Sequence, residues 1–387
     1  MSMEVYILSG SRTPLGSFLG QLSTVPATEL GAVAITSAVK QAQINPNEVE
    51  EVLMGNVFSA GLGQAPARQA AIKAGLPSSV PCTTINKVCG SGLKAIITAA
   101  QTIQTGDNNL VIAGGMENMS LSPHVMNLRN GQKWGTAEFK DSMQFDGLTD
   151  AYNGQPMGAC AEECVRLYGV TRQEQDNFAI QSFQRSQQAS KDGKFKAEIA
   201  PVSVKAGKNT TLVSEDEGPF KANFDKIPQL KPVFLADGTI TAANASTIND
   251  GAAAVVLGGS KYKDKAKFKI ISYAQFAHDP VFFTTAPVGA MNKCLQKAKL
   301  TIQDIDIFEI NEAFAVVTLA AMKEFKLSPE KVNVWGGAVS LGHPIGASGA
   351  RILVTLINIL EQLGKKRGMA SICIGGGEAL AMIIEKV

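Results

Sequence analysis

With 387 residues, 45% of them apolar and 18% charged, the chain is long enough for two or three domains, or for one large duplicated unit with an extensive core. Its formal net charge of +2 comes without a basic stripe, which argues against a nucleic-acid partner. The run Lys261, Lys263, Lys265, Lys267 and Lys269 alternates with other residues and reads as a solvated loop and strand edge.

The first predicted element is a strand at Val5-Tyr6-Ile7-Leu8. It follows Met1 with no basic region and no cleavage site of a signal peptide. Residues 35–39 carry helical apolar spacing, 52–54 form a short β-rich run ending in Gly55-Asn56, and 95–103 are again helical. A buried strand is expected at 111–113, ending in Gly114-Gly115. From 119 to 242 the composition shifts toward Asn, Gln, Lys and Asp, with turns at Arg129-Asn130-Gly131, Asp192-Gly193 and Asp237-Gly238. One clear helix, 173–190, lies inside this stretch and carries the apolar Phe178, Ala179 and Phe183. The chain re-enters a buried strand at Asn249–Leu257. The longest apolar run, 352–360, is broken by Thr355 and Asn358 and is too short to span a bilayer. Six cysteines with no tight spacing framework fit a reducing compartment. A cytoplasmic protein with no membrane segment is expected.

Three segments repeat in the same order. Residues 44–56 match 300–312: a helix end, an acidic loop, then an apolar strand stopping at a polar pair. Ser91-Gly92-Leu93-Lys94 matches Ser348-Gly349-Ala350-Arg351, where small residues open an apolar helix. Leu110–Gly115 matches Ser371–Gly376, a buried strand running into glycines, with Gly364–Gly368 as an inserted loop. Each half alternates strands and helices, so the fold class is α/β with mixed or mostly parallel sheets covered by helices. Two halves sharing a helical layer give a duplicated, five-layered αβαβα core. The expected division is 1–118 with 243–269 as the N-terminal core half, 119–242 as an inserted loop domain, and 270–387 as the C-terminal core half.

Four segments could carry chemistry. In Asn86-Lys87-Val88-Cys89-Gly90-Ser91-Gly92 a cysteine sits before a helix, where unpaired N–H groups and the helix dipole favour a thiolate. A buried structural cysteine is the competing reading. Gly336–Arg351 places His343, one of three histidines, in a glycine-rich loop before a helix, at the duplicated counterpart of Cys89. A free thiol is only a few per cent ionised at neutral pH, so an imidazole beside it would take and keep its proton. Cys373 ends an apolar strand before Gly375-Gly376-Gly377, whose bare N–H groups suit an oxyanion. Asn311-Glu312-Ala313-Phe314-Ala315 ends another strand in a polar pair, where Asn311 could hold a water. Cys160 and Cys164 share a helix face, but no further ligand completes a metal site.

Together N-x-V-C-x-S-G, N-E-A-F-A, G-G-A-x-x-x-G-H-P-x-G-x-S-G-A-R and C-x-G-G-G resemble the thiolase family, in family order and over essentially the whole chain. Ser11-Arg12-Thr13-Pro14 and Asn244–Ala252 agree as well, and the acetoacetyl-CoA thiolase branch is similar through Asp146–Tyr152 and residues 122–139, a tetramerisation loop in that branch. The resemblance implies an acyltransferase that interconverts acetoacetyl-CoA plus CoA with two acetyl-CoA through an acetyl-Cys89 intermediate. Coenzyme A is then a substrate and no cofactor is needed; the assembly is a homotetramer. By motif, His343 takes the proton of Cys89, Cys373 moves the α-proton of the second substrate, and His343 with a water on Asn311 holds its enolate oxygen. The N–H groups of Cys89 and Gly375 hold the other oxyanion. Leu148, Met157, Lys221, Phe234, Ala242 and Ser246 would bind coenzyme A, with Phe314 lining the pocket and Phe283 shaping its acyl end. A ketoacyl synthase is disfavoured, since it has a second histidine where Asn311 stands and lacks Cys373. The alternative within the family is a thiolase for longer 3-oxoacyl chains. Pro156 stands where many of the acetoacetyl branch carry histidine, Phe283–Pro287 is nearer a mitochondrial-type pattern, and Glu378-Ala379 follows the three glycines.

Overall fold

The computed structural model describes residues 3–387. Its centre is a mixed sheet that reads, from one edge to the other, Ile307–Ile310, Arg367–Ile374, Glu378–Lys386, Phe268–Ala277, Tyr6–Arg12, Asn249–Gly258, Leu110–Asn118, Glu51–Gly55 and Cys82–Ile85. The order is mirrored about its middle, as the duplication requires. There the two halves touch through only two register pairs, Tyr6 with Lys269 and Ile7 with Phe268. Glu51–Gly55 runs parallel to Leu110–Asn118, and its counterpart Ile307–Ile310 runs parallel to Arg367–Ile374. The strands nearer the seam are antiparallel.

Helices Ala27–Ala42 and Pro66–Lys73 cover the outer face of the first half, and Ala286–Ala298 and Ala315–Phe325 the outer face of the second. Helices Ser91–Thr105 and Ser348–Leu363 lie between the half-sheets and share one core with both. That makes five layers. Strands covered on both faces are apolar without alternation, which is why Leu110–Asn118 and Asn249–Gly258 are buried at every position. The apolar run at 352–360 has the same cause: Ser348 to Leu360 is buried on all sides of its helix. Among the described residues no helix is long and apolar enough to cross a membrane.

The two central helices meet at their starts, backbone against backbone. A Cβ at Gly92 would lie 2.8 Å from the Ala350 nitrogen, and one at Gly349 would lie 2.6 Å from the Leu93 nitrogen. Any side chain there would push the helices apart. The repeated Ser-Gly pairs are therefore the contact itself, and they bring together the loops that precede both helices.

Between 119 and 242 the chain leaves the core for the helices Met157–Tyr168 and Arg172–Lys191 and two small hairpins. It is tied back through Arg12. This guanidinium is fully buried, donates from Nη1 and Nη2 to Asp216 at 2.7 and 2.8 Å, and from Nε to Glu198 at 2.5 Å. Glu198 also accepts from Thr355 and Asn358 of the central helix. The excursion and both halves thus share one buried ion network. Removing the cation would strand two buried carboxylates. Arg12→Ala is expected to destabilise the protein by about 3–5 kcal/mol, read as a lower urea midpoint at unchanged slope.

Candidate active site

Cys89 stands two residues before the helix Ser91–Thr105, held by the motif around it. The Ser91 hydroxyl donates to the Val88 carbonyl at 2.6 Å and accepts from the Lys87 N–H at 2.8 Å, while Asn86 Oδ1 accepts from the Val88 N–H at 3.0 Å. These bonds keep Val88 at φ 45°, a left-handed backbone that costs a β-branched residue about 1–3 kcal/mol. The turn leaves Cys89 half-buried at the mouth of the helix, facing the other half of the molecule.

His343 comes from the opposite side. Its N–H donates to the Thr247 carbonyl at 3.2 Å and to Asn249 Oδ1 at 3.1 Å, and its Nδ1 is 2.6 Å from the Ser348 hydroxyl. Among the described residues no polar group reaches Nε2. Two buried carboxylates fix the loop on either side of it. Glu312 accepts from the Val339 N–H, Asn333 Nδ2 and the Ser182 hydroxyl. Glu117 accepts from the Gly346, Val57 and Phe58 N–H groups and from Asn56 Nδ2, four donors from both halves. Burial pushes the Glu117 carboxyl up to about 7, with its N–H donors opposing the shift.

Cys89, His343 and Gly375 line one pocket of about 260 Å³, whose walls are almost wholly apolar. Leu148, Met157, Phe234, Ser246, Phe283 and Phe314 line the same pocket. The ring of Phe314 meets those of Phe234 and Phe283 edge-on, at centroid distances of 6.0 and 6.3 Å. Cys373 is fully buried behind the wall, close enough to Cys89 for the charge on one sulfur to oppose charge on the other. The backbone N–H groups of Gly375 and of Cys89 itself favour charge on the Cys89 sulfur. Asn311 is fully buried, and neither atom of its amide has a protein partner. Lys221 and Ala242 are not brought to this pocket: both are exposed, and Lys221 pairs with Glu217 at 2.6 Å. Among the described residues no cluster of His, Cys, Asp and Glu could hold a metal ion.

Sequence reasoning missed Glu117 and Asn249. Their only signal was a polar residue inside an otherwise apolar strand, in Gly-Gly-Met-Glu-Asn and in Asn-Asp-Gly-Ala-Ala. It also missed Ile345, a variable position inside the Gly-His-Pro motif, and Met119, at the start of a short helical turn, both of which line the pocket.

One expectation is corrected. The helix start was expected to favour a Cys89 thiolate, but burial pushes this thiol up to about 12, outweighing the two N–H groups that pull it down. His343 moves the opposite way, to about 3, because burial and then the Arg351 charge disfavour an imidazolium. With one group's pKa raised and the other's depressed, the resting pair is neutral thiol beside neutral imidazole. The proton must therefore move as the sulfur attacks, not before.

Comparison with known proteins agrees with this arrangement. Residues 5–260 match the thiolase N-terminal domain and residues 264–386 the thiolase C-terminal domain. Acetyl-CoA acetyltransferase 2 of Arabidopsis thaliana is 50% identical, over 99% of this chain and 97% of its own length. The acetyl-CoA acetyltransferase of Schizosaccharomyces pombe is 49% identical over the whole of both. Among solved structures, the Acat5 thiolase of Ascaris suum in complex with coenzyme A is similar at a TM-score of 0.95 and 46% identity, covering 99% of this chain and 100% of that one. The acetyl-CoA acetyltransferase of Bacillus anthracis is similar at a TM-score of 0.97 and 40% identity, covering 100% and 99%. The chain belongs to the thiolase family. It is an acyltransferase of that family.

The neutral resting state has a measurable consequence. Alkylation of Cys89 by iodoacetamide should be slow at neutral pH and rise about tenfold per pH unit up to about pH 10, following the thiolate fraction of a thiol titrating near 12. Peptide mass spectrometry gives the rate at Cys89. A rate flat across that range would mean a thiolate already formed at rest.

Proposed function

We propose that the protein is an acetyl-CoA C-acetyltransferase, converting two acetyl-CoA into acetoacetyl-CoA and CoA and running the reverse thiolysis. The observation that carries this reading is that Cys89 and His343, one from each half of the duplication, line one small apolar pocket with Gly375, while Cys373 is buried behind its wall close to Cys89.

In the first step the Cys89 sulfur attacks the thioester carbonyl while its proton passes to His343 Nε2. The N–H groups of Cys89 and Gly375 receive the developing oxyanion. The C–S bond to coenzyme A breaks, the leaving thiolate takes the proton back from His343, and acetyl-Cys89 remains. In the second step the Cys373 thiol passes its proton to the free His343 Nε2, and the thiolate so formed removes the α-proton of a second acetyl-CoA. The enolate oxygen is held by the Nε2–H of the protonated His343 and by a water on the unpartnered amide of Asn311. The α-carbon then forms a bond to the acetyl carbonyl, the C–S bond to Cys89 breaks, the Cys89 thiolate takes the proton from His343 Nε2, and acetoacetyl-CoA leaves. The apolar walls suit this chemistry, since donors aimed at a forming charge are worth more where water is excluded.

Leu148, Met157, Phe234 and Ser246 fit the pantetheine arm, and the exposed Lys221 and Ala242 stand outside the pocket for the distal part of coenzyme A. Coenzyme A is a substrate here, and no cofactor is required. The segment 122–139 supports a homotetramer: it is exposed and carries Leu128, Trp134 and Phe139, with Trp134 94% accessible, more apolar surface than a free loop normally presents. The composition and cysteine usage favour a cytoplasmic site of action.

The division of labour between the cysteines is testable. Cys373→Ser is expected to accept an acetyl group on Cys89 from acetyl-CoA, yet fail in acetoacetyl-CoA formation and in exchange of α-hydrogens with deuterated water. A serine hydroxyl is too weak an acid to serve as the base. Mass spectrometry after an acid quench locates the label. Acetyl groups on Cys373, or normal condensation by the variant, would overturn the assignment.

Chain length follows from Phe283, which closes the pocket against Phe314. Thiolysis of 3-oxoacyl-CoAs from four to about twelve carbons should favour four carbons. Phe283→Ala should raise the longer ones by about 10–200-fold, the worth of one or two methylenes in an apolar pocket. Equal wild-type rates on four and ten carbons would favour the longer-chain reading.

A further inference from the structure

We propose that Ser348 is a positioning residue that sets the tautomer of His343, keeping the proton on Nδ1 and leaving Nε2 bare toward Cys89. The inference rests on the reading of His343 as the base for Cys89, and goes beyond it by assigning which nitrogen is free and what makes it so.

Ser348 opens the helix Ser348–Leu363 and is buried. Its hydroxyl lies 2.8 Å from the Pro344 carbonyl and 2.6 Å from His343 Nδ1. A hydroxyl has one hydrogen to give and two lone pairs to receive with. The bond to the carbonyl four residues back is the habitual one for serine in a helix. With its hydrogen spent there, Ser348 can meet Nδ1 only as an acceptor, so Nδ1 must carry the proton. The other nitrogen points the same way. No protein acceptor reaches Nε2, and an unpaired N–H buried in an apolar wall is rarer and costlier than an unpaired lone pair. Both ends of the ring agree on one tautomer.

The loop holds Ser348 and His343 in fixed relation. Pro344 and Ser348 belong to one turn, closed by the Ser348 N–H onto the Pro344 carbonyl at 2.9 Å, and the backbone of His343 is fixed by Thr247 and Asn249. Imidazole and hydroxyl are thus set by the same backbone. In the first step the Cys89 proton goes to Nε2, giving an imidazolium whose Nδ1–H still donates to Ser348. When the coenzyme A thiolate leaves, it takes the Nε2 proton and the original tautomer returns. The alternative tautomer, with hydrogen on Nε2, has no lone pair for that proton.

Solid-state 15N spectra of enzyme labelled at its three histidines, assigned by subtracting a His343→Asn spectrum, read the tautomer directly and without substrate. The expected wild-type result is a pyrrole-like Nδ1 and a pyridine-like Nε2 at His343. Ser348→Ala should move the population toward Nε2–H and slow acetylation of Cys89 by about 10–100-fold, the usual cost of losing an outer hydrogen-bond partner, with KM for acetyl-CoA little changed. Ser348→Thr, which keeps the hydroxyl, should restore both spectrum and rate. An Nε2–H tautomer in the wild type overturns the proposal whether or not any variant folds. So does a Ser348→Ala enzyme that is slowed with its tautomer unchanged, since that is a structural effect. Acetyl label on a residue other than Cys89, with the expected spectrum intact, would instead sink the reading of the nucleophile.

Discussion

Everything at the centre of this molecule depends on how closely two helix starts approach. Gly92 and Gly349 let the helices Ser91–Thr105 and Ser348–Leu363 meet backbone to backbone, and each helix is the counterpart of the other in the duplication. The residues that precede a helix start are drawn to wherever that start is placed. Cys89 and His343 are therefore brought to one point by a packing contact between apolar helices, not by any attraction of their own. A methyl group at either glycine would clash with the backbone of the other helix and push the two starts, and the loops before them, apart.

Packing alone would leave the loops loose, and the buried polar groups supply the rest. Glu117 gathers donors from residues 56–58 of the first half and from Gly346 of the second, and Glu312 holds the same second-half loop from its other side. A buried carboxylate without such partners would be strongly disfavoured. Satisfied by several N–H groups, it fixes those groups in one geometry instead. The site is thus rigid for the same reason that its core is polar in places.

The same burial that organises the site works against simple ionisation. Both thiols are pushed up and the imidazole is pushed down, so no charge waits in the apolar pocket for substrate. Charge appears only during the reaction, where N–H groups are already aimed at it. That arrangement gains most from electrostatic preorganisation, because no charge in the resting state competes for those donors.

Much of this was legible in the chain. The repeat of Ser91-Gly92 at Ser348-Gly349, and of the strand running into Gly114-Gly115 at Gly375-Gly376, gave the duplication and the layered α/β core, because period and glycine placement are local properties. The chemistry-bearing types at Cys89, His343, Cys373 and Asn311 were legible for the same reason: each sits where a strand or loop yields to a turn. Proton locations were not. The helix start argued for a thiolate, and only the desolvation of the sulfur in the folded molecule reversed it. The roles of Glu117, Asn249 and Ser348 were equally hidden, since a buried polar side chain has meaning only through partners that are distant in sequence. The sequence by itself determined which elements form and which atoms can react. The tertiary structure alone decided how far each of them stands from water and which hydrogen-bond partner it meets. Desolvation and hydrogen bonding across 60 or more residues, as between Asn56 and Glu117 or Gly346 and Glu117, are not properties of any local stretch of chain.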